Sequence, residues 1–319
     1  MKKVFYLLAV LAGTITLSSC SDDDNDGGSS AAGQSKTITI DSSDYASWAY
    51  FNFSDGKVVT HTIEPVAGLY SGDINITVGG KDYGSASLEL AVAHKDTSSY
   101  QFTLKDFKFL QYDMEDVSAL ATVTADTLGW MVTIPDTTVN DMKLSGTGII
   151  SGKSVTLKMA IQPGGMPRQI IAEYTGTMET SANVNETSFD WDIALHAYDV
   201  KTNGGSGLET TETELNKVIA IPSTGFVADV ETDSLIVDRA GMMIDKVGYA
   251  SGHINPQLNR WMKLNLSVMP PTSSIYSMGD KVYIVRTQSG KYAKLKFTGF
   301  RDDNNNTGHI TFDYVYPFE

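Results

Sequence analysis

The sequence predicts an all-β protein built from antiparallel sheets, folded as a sandwich or a barrel. Three observations predict this class. Short runs of alternating apolar and polar residues recur from Lys36 onward, clusters of Gly, Asn and Asp separate the runs, and helical periodicity is scarce. The first run is Thr37-Ile38-Thr39-Ile40. Residues 72–78, 87–92 and 154–159 continue the pattern, and residues 281–286 and 309–316 close it. Turn signals fall between them at Gly79-Gly80-Lys81-Asp82, at Ser289-Gly290 and at residues 302–306. The best helical candidates, residues 237–243 and 256–263, are both short. Residues 66–182 read as a self-contained run of hairpins, whereas the stretch from Asn185 to the end holds two Trp and five of the 12 Met.

The N-terminal segment has a different character. Met1-Lys2-Lys3 precedes an apolar run that extends to Leu17 and is too short to span a membrane, so it reads as a cleaved signal. Leu17-Ser18-Ser19-Cys20 is similar to a bacterial lipobox, in which the Cys is acylated and becomes the mature N-terminus. An acidic run, residues 21–26, follows at once and resembles the tag that exports lipoproteins of Bacteroides-type bacteria to the outer face of the outer membrane. Residues 27–33, rich in Gly and Ser, form a flexible tether.

Composition narrows the function classes. The 319 residues carry 38 Asp and Glu against 24 Lys and Arg, a formal net charge of −14. That length holds one large domain or two moderate ones, each with a real core. A single Cys cannot form an internal disulfide, a CxxC pair or a Cys-based zinc site. An acidic chain without Lys/Arg clusters is a poor partner for nucleic acid or anionic lipid, so the lipid anchor alone would hold it to the membrane. No GxSxG elbow, HExxH or P-loop is present, and Gly204-Gly205-Ser206-Gly207-Leu208 lacks the closing Gly of an elbow. A hydrolase is therefore unsupported, and with Asp and Glu so plentiful a carboxylate dyad stays open.

Three blocks are more specific than strand grammar. The first runs from Ile38-Thr39-Ile40-Asp41 through Trp48-Ala49-Tyr50-Phe51-Asn52-Phe53 to Val59. The second is residues 189–207, with Trp191-Asp192-Ile193-Ala194-Leu195-His196-Ala197-Tyr198 at its heart. The third joins residues 282–297 to Gly308-His309-Ile310-Thr311-Phe312-Asp313-Tyr314-Val315-Tyr316-Pro317. Together they resemble the HmuY-like haem-binding lipoproteins. Residues 66–182 intervene between the first two blocks and resemble a calycin-like β-barrel, with Tyr70-Ser71-Gly72 at the start and residues 100–107 inside. The resemblance implies an HmuY-like antiparallel β domain (36–65 with 183–319) interrupted by a small inserted barrel (66–182). The N-terminal pattern adds residues 1–19 as signal peptide and 20–35 as lipidated tether. Insertion at a loop tip is physically cheap, because closure cost grows slowly with loop length.

The resemblance further implies haem as ligand, two axial residues that are both His or both Met, and hand-off to an outer-membrane transporter of the TonB-dependent type. His61 and His94 lie outside or at the edge of the matching blocks, and His196 and His309 sit within strands. His253 is the one loop His in the right zone and stands in reserve. Met242, in Gly241-Met242-Met243-Ile244, and Met269, in Ser267-Val268-Met269-Pro270-Pro271, place thioethers beside chain breakers. Met243 is an alternative to Met242, and all three could instead fill core gaps. Tyr249, Trp261 and Tyr276 could line the slot or belong to the core. A rival reading is a surface lipoprotein that binds another small ligand, a glycan or a host protein through the inserted barrel.

Overall fold

Every side chain of the strand Ser47–Phe51 is buried, and the strands around it explain why. The computed structural model describes residues 33–109, 112–113, 115–139, 141–164, 168–265 and 275–319. The signal sequence and Cys20 lie outside them, as does Met269. Along Ser47–Phe51 the two-residue period sends Ala49 and Phe51 to one face and Trp48 and Tyr50 to the other. The strand is central in a four-stranded sheet, ordered Asp199–Thr202, Ile193–His196, Ser47–Phe51, Val58–Thr62. A turn with Gly56 at φ 72° joins the last two, which is why Asp55-Gly56 punctuates the sequence there.

A second sheet of five strands covers the Ala49/Phe51 face. Its order is Lys36–Asp41, Thr307–Phe318, Tyr292–Arg301, Tyr283–Arg286, Ser206–Glu209. Between the sheets lies a core containing Ile40, Phe51, Phe53, Ile193, Leu195, Val285, Leu295, Phe297, Phe312 and Tyr314. Phe51 meets Phe53, Phe312 and Tyr314 edge-on, with centroids 5.3, 5.6 and 5.4 Å away. The opposite face carries Trp48, Tyr50, Trp191 and Ala194, which join a cluster continuous with the inserted segment.

That segment is an eight-stranded closed barrel. Its strands are Gly68–Val78, Lys81–Asp96, Ser99–Leu104, Val117–Asp126, Gly129–Val139, Met142–Ser151, Ser154–Pro163 and Ile170–Ser181, and the last pairs with the first. Ser154–Pro163 shows the alternation that fills it, with Val155, Leu157, Met159 and Ile161 inward and Thr156 and Lys158 outward. The interior is packed. Between Leu90, Phe102, Ile134, Leu157 and their neighbours about 10 Å³ is left, space for a water at most. The chain enters and leaves the barrel at one point. Ala182 N donates to Ala67 O at 2.9 Å and Glu64 N to the Asn183 Oδ1 at 2.7 Å.

Two short helices expected from the sequence are not formed. Residues 237–243 are the end of the strand Val230–Gly241 followed by the 3₁₀ turn Met242–Ile244, and residues 256–263 contain the 3₁₀ turn Leu258–Trp261 and the start of the strand Met262–Leu264. Leu235 and Val237, two residues apart, are both buried against the barrel cluster. Tertiary packing at strand period has overridden a weak local preference.

Phe51→Ala should lower the unfolding free energy by about 3–5 kcal/mol, because it empties the centre of the sandwich. Denaturant unfolding measures this, and a loss below about 1 kcal/mol would contradict the core assignment.

Candidate functional site

Two antiparallel ribbons leave the sandwich between Val230 and Met278. The long one pairs Val230–Gly241 with Lys246–Ile254. Its tip is Met242–Ile244, closed by Asp245 in the left-handed region at φ 59°. The tip is apolar and open to solvent: Met242 is 44% exposed, Met243 95% and Ile244 68%. The short ribbon pairs Met262–Leu264 with Tyr276–Met278 and is closed by Asn265 N donating to Ile275 O at 2.7 Å. The segment beyond that bond contains Met269 and is outside the described residues.

The ribbons meet over an aromatic cluster. The Arg239 guanidinium, near the end of the long ribbon, lies 4.3 Å from the Tyr45 ring centroid and hydrogen-bonds its hydroxyl. Tyr45 is bonded in turn to Tyr276 of the short ribbon. Tyr276 packs on Tyr198, with centroids 4.6 Å apart. Tyr198 stands in the tight hairpin turn whose Ala197 has φ 50°. Burial pushes the Tyr45 phenol up, and the neighbouring Tyr276 adds to this while Arg239 opposes it. Burial and Tyr198 raise Tyr276 likewise. Both phenols therefore stay neutral near pH 7 and can donate hydrogen bonds.

The residues singled out in the sequence are dispersed. Met242 and Met243 share the long tip, and Tyr276 lies across from Arg239 of the same ribbon. Tyr249 is mid-strand and 45% exposed. Trp261 is fully buried; its ring stacks on Phe297 at 4.3 Å and its indole N–H donates to Tyr198 O at 2.9 Å, so it supports the cluster from within the core. His253 is at the base of the long ribbon, 4.0 Å from Glu231. Sequence reasoning missed Tyr45, Tyr198 and Arg239. The position of Tyr198 inside the second specific block was the available signal.

The barrel braces the long ribbon. The Trp130 indole N–H donates to Tyr249 O at 2.8 Å, and Lys246 Nζ lies 3.0 Å from Asp126 Oδ2. Leu235, Val237 and Ala250 belong to the same buried cluster as Trp130. Gly248 has no side chain because a Cβ there would stand 2.4 Å from the Trp130 ring. The Lys246 ammonium, followed by Thr127, holds the Asp126 carboxyl below the usual carboxylate range. The sign is that of a depressed acid: its contribution is present at neutral pH and is lost as pH falls through that lowered value. Among the described residues no group of three or more His, Cys, Asp or Glu is placed to hold a metal ion.

Trp130→Phe should speed amide exchange in residues 246–254 by about five- to tenfold, the effect of one lost hydrogen bond of about 1 kcal/mol, and leave Ser154–Pro163 unchanged. Equal exchange in the ribbon would remove the bracing role.

The family model described as HmuY protein matches residues 44–314, a span that includes the barrel. Three solved structures are similar. A HmuY-like protein of Bacteroides vulgatus, named for heme binding, is 23% identical, with 89% of this chain and 93% of that chain covered and a TM-score of 0.46. A protein of Bacteroides fragilis, named as a lipoprotein, is 21% identical, with 90% and 92% covered and a TM-score of 0.47. The apo HmuY analog of Tannerella forsythia is 20% identical, with 88% and 94% covered and a TM-score of 0.44. No curated protein matches the chain.

Proposed function

The chain belongs to the HmuY family, and from that premise we propose that it is a lipid-anchored surface protein that binds haem and passes it to an outer-membrane transporter. The observation that carries the reading is the long ribbon's tip, where Met242 is held solvent-accessible on a braced support. A buried thioether would be core filler; an exposed one at the end of a ribbon is free to ligate. Met242, at the tip of the long ribbon, and Met269, outside the described residues, are the proposed axial pair. Met243 is the neighbour that could replace Met242, and His253 is the reserve. Tyr249 and Tyr276 are assigned to the slot walls, and Trp261 supports Tyr198, on which Tyr276 packs.

The donor set suits the ligand. Thioether sulfur is soft and neutral, and favours ferrous iron over ferric. Arg239 adds a planar donor fork for a propionate carboxylate, which an otherwise acidic protein needs. Haem supplies the iron to be ligated; the chain supplies two sulfurs, phenol donors and an apolar support. No catalytic step is assigned. In this reading the barrel braces the long ribbon through Trp130 and Asp126. Cys20 would carry the lipid, and the acidic run after it would direct the protein to the outer face of the outer membrane.

Titration of the purified mature protein with haem, followed at the Soret band, should show tighter binding after reduction. Met242→Ala combined with Met269→Ala should lose the reduced spectrum and weaken binding by about tenfold or more. An unchanged spectrum would remove the ligand assignment. Affinity should vary less than about threefold between pH 5.5 and 7.5, since no thioether titrates, whereas a His pair would release haem as pH falls.

Cys20→Ser should move the protein from the membrane fraction to the soluble one, because one acyl chain cannot be replaced by charge in so acidic a protein. Membrane retention of that variant would overturn the anchor.

A further inference from the structure

A cavity of about 470 Å³ opens at the other end of the long ribbon, away from Met242–Ile244. Three parts of the fold wall it: the four-stranded sheet, the crossings into and out of the barrel at Ile63 and Val184, and the ribbon base at Ser251 and Gly252. Its volume is that of a small-molecule site.

The floor is polar and pre-built. The Lys201 side chain is 7% exposed, and its Nζ lies 2.5 Å from Glu186 Oε1. The Trp48, Tyr50 and Trp191 ring centroids surround that ammonium at 4.3, 5.0 and 5.4 Å. The Tyr50 hydroxyl donates to the same Glu186 oxygen at 2.8 Å. Glu186 is 37% exposed and its second oxygen is free of partners among the described residues. Asp229 accepts from Thr202 N, Thr202 Oγ1 and Asn255 Nδ2, so its acceptor sites are largely taken. Gly204 and Gly205 bring bare backbone to the rim.

These groups select among ligand classes. An anion would meet the Glu186 and Asp229 carboxylates against one ammonium and the His253 imidazole, on a chain of net charge −14. A cation would find the aromatic cage already filled by Lys201. An apolar molecule would cover the Lys201–Glu186 pair and give it nothing in return, which is costly. A neutral molecule with adjacent hydroxyls satisfies both groups, donating to the free Glu186 oxygen and accepting from the ammonium beside it.

We propose that this cavity binds a neutral, hydroxyl-rich small molecule, a mono- or disaccharide, through adjacent hydroxyls held by Lys201 and Glu186. The site is separate from Met242 and Met269 and does not depend on them; the reserve ligand His253 stands on its wall beside Ser251 and Gly252. The bound sugar would touch sheet, barrel crossings and ribbon base together.

Calorimetry on the mature protein tests this with methyl α-glucoside, methyl β-galactoside and lactose as probes and glucosamine and glucuronate as charged controls. The expected result is saturable one-to-one binding of at least one neutral probe, weaker binding of its charged relative, and about tenfold loss in Glu186→Gln and Lys201→Met. Removing Lys201 also disturbs a buried pair. Thr62→Trp, at an exposed wall position, therefore fills the cavity while leaving the pair in place, and should abolish binding. Failure of all three neutral probes to saturate overturns the proposal. So does undiminished binding in Thr62→Trp and Glu186→Gln, or tighter binding of either charged control.

Discussion

The architecture depends on a sheet that is covered on both faces. Ser47–Phe51 and Ile193–His196 are buried along their whole length, so neither can alternate between apolar and polar residues. One face builds the sandwich with Phe51, Ile193 and Leu195, and the other builds the platform beneath the barrel with Trp48, Tyr50 and Ala194. A polar group on either face must bring its own partner. Lys201 is such a group. Burial pulls its ammonium below the ordinary lysine range, and Glu186 and the three aromatic rings are what keep a cation there at all.

The same constraint shapes the ribbons. An isolated two-stranded hairpin is marginal in water. The long ribbon carries strands of 12 and 9 residues and cannot rely on its own ladder. It rests instead on the barrel, through Leu235, Val237, Ala250 and the Trp130–Tyr249 bond. The end of the barrel at Asp126 and Trp130 is what reaches the long ribbon. The short ribbon is held differently, by Tyr276 on Tyr198 and by Trp261, which is locked against Phe297.

Much of the architecture was legible in the sequence because strand period and turn chemistry are local. Ser154–Pro163 reads outward and inward as its residues alternate, and Asp55-Gly56 marks the turn where it occurs. The expected inserted barrel is present for the same reason, as a run of hairpins joined by short turns. What was illegible depends on partners far away in the chain. Residues 237–243 carry a helix-like spacing, and only the barrel wall makes Leu235 and Val237 into one face of a strand. The Tyr45–Arg239–Tyr276 cluster joins three separate stretches, and no spacing announces it. Trp261 read as slot or, more often, as core, since an indole serves either until its neighbours are known.

The meeting of the two crossings at Glu64 and Asn183 has a kinetic consequence. Phe53 bonds Asp192 across 139 residues of sequence, and Thr39 reaches Thr311 across 272. Such distant pairings are slow, because the chain entropy of closing the loop is lost before any contact rewards it. The barrel shortens the search. Its strands pair with sequence neighbours until the last, and when Ile170–Ser181 closes on Gly68–Val78 the flanking segments are delivered side by side. In folding terms the barrel is a template of local contacts, and the sandwich can be assembled around it as though the 119-residue separation of Glu64 and Asn183 were that of a short turn.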